Sequence, residues 1–183
     1  SDITISDTVE SIGYSAFAST ACISDESNWV NNVFYIDNHL IKSNSKISGE
    51  YQIKNGTKTI ASYAFSGCDN LESVVIPNSV AGIGDHSLDC KKLSNIEVSS
   101  NNERYSSIDG VLFDKNATKL IRYPVGKTDS AYVVPDTVKT VCAFAFDSCK
   151  SLTTVMFSNG VTNIGNYAFI RCENLLCVFL PET

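Results

Sequence analysis

An apolar anchor followed four and five residues later by Ala-Phe, or a variant of it, recurs five times along the chain. The anchors are Ile12, Ile60, Ile83, Val141 and Ile164. They lead to Ala16-Phe17, Ala64-Phe65, Ser87-Leu88, Ala145-Phe146 and Ala168-Phe169. Where copies are contiguous, from Ile60 to Ile83 and from Val141 to Ile164, the step is 23 residues. A fixed period in this range marks a solenoid, a stack of like units each too small to bury its own apolar side. It also bears on function, because such stacks present extended surfaces that bind other molecules.

In full the unit reads Val-x-x-Ile-Gly-x-x-Ala-Phe-x-x-Cys-x-x-Leu-x-x-Val-x-Ile-Pro-x-Ser. Copies cover about 57–79, 80–99, 138–160 and 161–183, with a truncated first copy over 9–20. A longer period of 81 residues lies on top: Tyr51, Ala64, Phe65 and Cys68 recur as Tyr132, Ala145, Phe146 and Cys149. Irregular islands at about 21–56 and 100–136 precede the matched halves. Within them Ile36-Asp37-Asn38-His39-Leu40-Ile41 lines up with Ile108-Asp109-Gly110-Val111-Leu112-Phe113. Asp-Asn and Asp-Gly between apolar residues are two-residue hairpin turns. Each island therefore reads as a β-hairpin insertion, and 1–183 as a single domain. The 183 residues, 43% hydrophobic and 19% charged, suffice for one core.

Inside a unit, Val74 and Ile76 have strand spacing toward the core, while Ser73 and Val75 face out. Pro77 ends the strand by removing a donor. Gly84 and Gly165 are expected to permit a sharp bend. Ala-Phe-x-x-Cys fits a short 3₁₀ or α turn that lays Phe and Cys on the opposite inner wall. Cys68, Cys90, Cys149 and Cys172 then share a phase and stack as buried free thiols, while Cys22, Cys142 and Cys177 lie off that column. Parallel side chains suit disulfides poorly, and the seven cysteines lack the short clustered spacing of a zinc site.

The motifs Ala64-Phe65-Ser66-Gly67-Cys68, Leu71, Val74-Val75-Ile76-Pro77 and Ile83-Gly84 resemble the BspA-like, or Treponema-type, leucine-rich repeat over nearly the whole chain. Ile108-Asp109-Gly110-Val111-Leu112-Phe113 and Leu120-Ile121-Arg122-Tyr123-Pro124 are similar to that family too. Thr20 in place of the column Cys, and Ser87-Leu88 in place of Ala-Phe, depart from its pattern. The resemblance implies a right-handed solenoid, mostly β with short 3₁₀/α turns and two hairpin insertions. It further implies a cell-surface or secreted bacterial protein that contacts host matrix proteins or other cells. Because the chain begins and ends inside the repeat pattern, it reads as a fragment of a longer protein.

The remaining features narrow the function. A net charge of −6 disfavours nucleic acid, whose phosphates need clustered Lys and Arg. No apolar run approaches the roughly 18–20 residues of a membrane span. Of the two histidines, His86 fills the slot of Tyr63, Phe144 and Tyr167, and His39 is expected to be an exposed turn residue. Neither has a nucleophile at hand that the repeat does not already explain, so no catalytic residues, metal ligands or cofactors are assigned and the chain is read as a non-enzyme. Asp109-Gly110 with Asp114 lacks the alternating ligands of a calcium loop. Asn55-Gly56-Thr57 and Asn116-Ala117-Thr118 match the glycosylation pattern. Leu180-Pro181-Glu182-Thr183 resembles a sortase signal, but it also matches the phase of Ile76-Pro77-Asn78-Ser79.

What is left is surface. Outward strand positions are expected to form two rows, Val75, Glu97, Met156 and Phe179 in one, and Ser73, Asn95, Thr154 and Cys177 in the other. The first is apolar for a solvent-facing row, the signature of a protein-binding surface. Uncapped end coils are a second route to association, with further copies of the chain. Two alternatives stand beside adhesion: a structural spacer in an envelope protein, and an enzyme whose site lies on the insertions.

Overall fold

The computed structural model describes residues 3–180. The two walls of the expected stack are present. In the first half, Ser48–Gln52, Asn70–Ile76 and Asn95–Val98 pair in parallel. In the second, Ala131–Val133, Thr154–Met156 and Cys177–Phe179 do the same. The opposite wall carries shorter strands: Thr59–Ile60 pairs with Gly82–Ile83, and Thr140–Val141 with Asn163–Ile164. Alternation decides which side chains go inside, so Val74, Ile76, Ile96 and Val155 are wholly buried.

Between the walls run the Ala-Phe turns. Ala61–Cys68 is held by i→i+3 bonds from the N–H groups of Ala64, Ser66 and Cys68 to the carbonyls of Ala61, Tyr63 and Phe65. These bonds do not wind into a helix, because Tyr63, His86, Phe144 and Tyr167 all adopt φ between +55° and +60°. Such angles cost energy in bulky residues. The bonds that offset the cost come from the next coil: Tyr63 and Phe65 donate to Asp85 and Ser87, and Phe144 and Phe146 to Asn166 and Ala168, at 2.8–3.2 Å. Phe65 and Phe146 are completely buried, and Phe146 stacks on Phe169 with ring centres 4.8 Å apart.

Gly84 and Gly165 serve another purpose than the bend expected of them. A Cβ on Gly84 would lie 2.4 Å from the Ser62 nitrogen, and one on Gly165 would lie 2.5 Å from the Ala143 nitrogen. Glycine is needed there because one coil's backbone rests directly on the next.

The islands are hairpins, with Asp37, Asp109 and Gly110 at positive φ in the turns. Their sequence likeness, however, is a likeness of turns and not of position. In the first island the strand following the turn, His39–Ser43, rejoins the short-strand wall beside Thr59–Ile60. In the second, Val111–Asp114 turns back once more, and Lys119–Arg122 joins the wall beside Thr140–Val141. Each island also supplies a strand to the long wall, Ser48–Gln52 or Ala131–Val133. The hairpins are insertions, while the end of each island is a coil of the stack that lacks the Ala-Phe turn. This corrects the place of His39. It is fully buried, with Nδ1 2.7 Å from Thr59 Oγ1 and Nε2 3.2 Å from the Ser6 carbonyl.

Two buried clusters result, one centred on Phe65, Leu71 and Leu93, the other on Phe113, Phe146 and Leu152. They meet where the second hairpin docks on the first half: Ile96 N–H donates to the Gly110 carbonyl and Gly126 N–H to that of Leu93. The final coil is more open, with Ile164 40% and Val178 39% exposed, whereas Val141 and Val155 one coil earlier are buried. The Pro-Glu-Thr end of the sortase-like string lies outside the described residues.

Truncation at one phase should therefore cost different amounts in different coils. Phe146→Ala should destabilise by about 3–5 kcal/mol and the half-buried Phe169→Ala by roughly half as much. Urea unfolding followed by circular dichroism measures both, and equal losses would contradict the packing described.

Candidate binding surface

The outward rows are formed pairwise. Ser73 sits beside Asn95 and Val75 beside Glu97; Thr154 sits beside Cys177 and Met156 beside Phe179. They are not two continuous four-residue rows, because the first pairs lie in one sheet and the second in another. The second hairpin occupies the edge of the first sheet. Val98 N–H donates to Ser107 Oγ at 3.0 Å, in addition to the Ile96–Gly110 bond. Island strands lengthen both sets. Glu50 and Gln52 precede Ser73 and Val75, and Ala131 and Val133 precede Thr154 and Met156. Sequence reading missed Val133 because it placed residue 133 in an insertion; the string Tyr132-Val133-Val134-Pro135, close to Val74-Val75-Ile76-Pro77, was the available signal.

The two surfaces differ in chemistry. The first is polar, running Gln52, Val75, Glu97 along one row and Glu50, Ser73, Asn95 along the other, with Asn95 Nδ2 donating to Ser73 Oγ. In the second, Val133, Met156 and Phe179 form an apolar row in which Val133 is 63% and Phe179 56% exposed.

A separate cluster of ionisable groups lies between the halves. His86 Nδ1 is 2.7 Å from Asp89 Oδ2, and Arg122 Nη2 is 2.9 Å from Asp89 Oδ1. Arg122 Nη1 also donates to the Phe144 carbonyl at 2.6 Å, and Nη2 to that of Asp147 at 3.3 Å. The buried Asp147 carboxylate accepts from Arg171 and from Ser148 Oγ. His86, Asp89 and Asp147 bring ligand atoms within 4.8 Å of one another, near enough to share a cation. Each carboxylate is already matched by a guanidinium, so the arrangement is charge-balanced and works as a staple across four coils. Burial by itself raises the Asp147 pKa, but the hydrogen bonds of Arg171 and Ser148 and the charges of Arg171 and Arg122 outweigh it and hold it below the ordinary value. His86 keeps the aromatic slot read from the sequence, its ring centre 4.9 Å from that of Tyr63 and 4.5 Å from that of Phe144.

The column cysteines are unpaired, and each thiol has a backbone acceptor one coil away. Cys90 Sγ donates to the Phe65 carbonyl at 3.3 Å and Cys172 Sγ to that of Phe146 at 2.9 Å. Burial pushes the Cys90 thiol up and that of Cys149 to about 12, so neither is a ready nucleophile. Cys177 is exposed on the outer row.

Two measurements follow. Because the folded pKa of Asp147 lies below that of the unfolded chain, its stabilisation is complete above pH ~4 and is lost as pH falls through the folded value. Arg171→Ala removes the main counterweight to burial, so the acid-unfolding midpoint should rise by roughly 0.5–1 pH unit. An unchanged midpoint would dissociate Asp147 from acid stability. In thiol titration of the native protein, Cys177 should react at least about tenfold faster than Cys90 and Cys149; equal rates would show that the column is open.

The family model for the BspA type leucine rich repeat region matches residues 1–120 and 127–183 in six copies, and the chain belongs to that family. Among solved structures, the pneumococcal vaccine antigen PcpA is similar at 26% identity and TM-score 0.63, over 73% of this chain and 39% of its own. A leucine-rich repeat protein of Eubacterium ventriosum matches at 29% identity and TM-score 0.60, over 72% of this chain and 41% of that one. A leucine rich cell surface protein of Faecalibacterium prausnitzii matches at 29% and 0.59, over 73% and 41%. The chain thus spans about two fifths of the length of these proteins. No curated protein matches it.

Proposed function

We propose that this leucine-rich-repeat stack is a non-catalytic protein-binding module of a cell-surface or secreted protein, and that it adheres to host matrix glycoproteins or to other cells. The observation that carries the reading is the Val133–Met156–Phe179 row, an apolar stripe on a parallel sheet whose partner sheet in the first half is polar. Apolar side chains held in register on a flat, rigid face bury area on contact at little cost in conformational entropy. On this reading Thr154 and Cys177 flank the stripe, while Ser73, Val75, Asn95 and Glu97 form a separate polar contact area. The surface location of one structural relative, a leucine rich cell surface protein, supports the same placement for this chain.

The polar rows of the first half also fit a second role, as a spacer that holds another domain away from the envelope. Label-free interferometry against fibronectin, fibrinogen and other matrix glycoproteins distinguishes the two. Adhesion predicts saturable binding that falls at least about tenfold in a folded Met156→Asp/Phe179→Asp double variant. Absence of binding across the panel would favour the spacer, and binding that survives the double variant would move the contact elsewhere.

A further inference from the structure

Two of the clefts among the described residues are internal equivalents. Each opens where an island coil without an Ala-Phe turn leaves a gap between turn-bearing neighbours. The first, of about 210 Å³, lies between the coil of Ile12 and that of Tyr63; the second, of about 310 Å³, lies between the coils of His86 and Phe144. Hydrogen bonds fix the correspondence. Ser43 N–H donates to the Ala64 carbonyl at 2.7 Å, and Tyr123 N–H to that of Ala145 at 2.8 Å. Lys42 therefore occupies the place of Arg122. By the same register Ser66 stands where Asp147 does, and the copies anchored on Ile12 and Ile83 set Ala18 against Asp89.

In the second cleft the cation is matched from within the chain. Asp89 reaches the Arg122 guanidinium directly and Asp147 lies close by, paired in turn with Arg171. In the first, both carboxylates are gone: Ser66 offers a hydroxyl and Ala18 a methyl. Lys42 is exposed, and its side-chain ammonium makes no hydrogen bond or ion pair among the described residues. The walls around it are Phe17, Ile41 and the ring pair Tyr14–Tyr63, whose centres are 4.7 Å apart.

We propose that the first cleft binds a carboxylate carried on an apolar or aromatic body, seated where Asp89 and Asp147 stand in the second. The acid supplies the charge-assisted hydrogen bond that Arg122 finds within the chain, with Ser66 Oγ as a further donor. The apolar body lies between Phe17, Ile41 and the two tyrosine rings, and the cleft volume admits a group about the size of one large side chain. The carboxylate has two possible sources, a free small acid or an Asp or Glu side chain of a protein partner. The site does not depend on adhesion through the strand face.

The test is a titration of the isotopically labelled protein, read by amide chemical shifts. One arm uses 3-phenylpropionate and the other the capped peptide Ac-Phe-Glu-NH₂, each beside its uncharged amide counterpart. Saturable shifts are expected at Ser15, Ser62 and Ser66, with His86 and Ala143 of the second cleft unmoved. The neutral counterparts should bind at least about tenfold more weakly. Lys42→Met should abolish the shifts, and Ser66→Asp, which supplies an internal carboxylate, should weaken binding at least about tenfold. Both positions are exposed, so the variants should keep the parent spectrum. Tighter binding of the peptide assigns the site to a protein partner, and tighter binding of the free acid to a small molecule. The proposal is overturned if neither probe gives saturable shifts, if acid and amide bind equally, or if Ser66→Asp leaves affinity unchanged. Because Met156→Asp/Phe179→Asp should leave these shifts intact, failure of this proposal and failure of adhesion can be told apart.

Discussion

Each coil of this molecule is hydrogen-bonded, backbone to backbone, to a coil about one repeat away. Gly84 N–H reaches the Ile60 carbonyl and Gly165 N–H that of Val141, both at 2.8 Å, and the long strands pair in parallel on the other wall. Because these bonds join equivalent phases, every residue lies on its own counterpart. The aromatic stacks, the thiol column and the requirement for glycine at 84 and 165 all follow from that registration. It also restricts surface charge, since like charges at one phase would be brought face to face. Exposed ion pairs accordingly run from coil to coil, as in Lys91–Asp69 and Lys150–Glu173. Each such pair is weak in water, and it is the backbone that sets their spacing.

Where the registration is interrupted, the molecule acquires its individual features. The two island coils keep both walls but omit the turn, so the coils on either side of the gap face each other across a cleft. In one cleft the chain fills the electrostatic role itself, with Arg122 held by Asp89 and two backbone carbonyls. Burying that many charges is tolerable only because each has a matched partner. In the other cleft the matching groups are absent, which leaves a cation beside an apolar wall. One architecture thus yields a structural joint between the halves and a receptive site within the first.

The outer strand face divides in the same way. The second hairpin seals the edge of the first sheet, so the polar and apolar rows are separate surfaces on opposite sides of a joint. A partner that engages Val133, Met156 and Phe179 meets a rigid strip, whose side chains are held in order by strands bonded on their long axis.

The period alone determined much of this. Five apolar anchors and their Ala-Phe pairs implied a stacked solenoid, the inner and outer faces of Val74–Ile76, the aromatic slot of His86 and the column of cysteines, because each is set by phase within a repeat. Tertiary structure decided what phase does not encode. His39 looked like a turn residue, since Asp37-Asn38 is a turn, yet it is buried because the strand it begins rejoins the wall beside Thr59. The likeness of the Ile36 and Ile108 strings hid a difference in topology, because turn chemistry is local while strand pairing depends on how far the chain travels before it returns. The pairing of Arg122 with Asp89, 33 positions away, and the lack of such a partner for the Lys42 side chain among the described residues depend on side chains meeting across a gap, and that gap exists only once the coils are stacked.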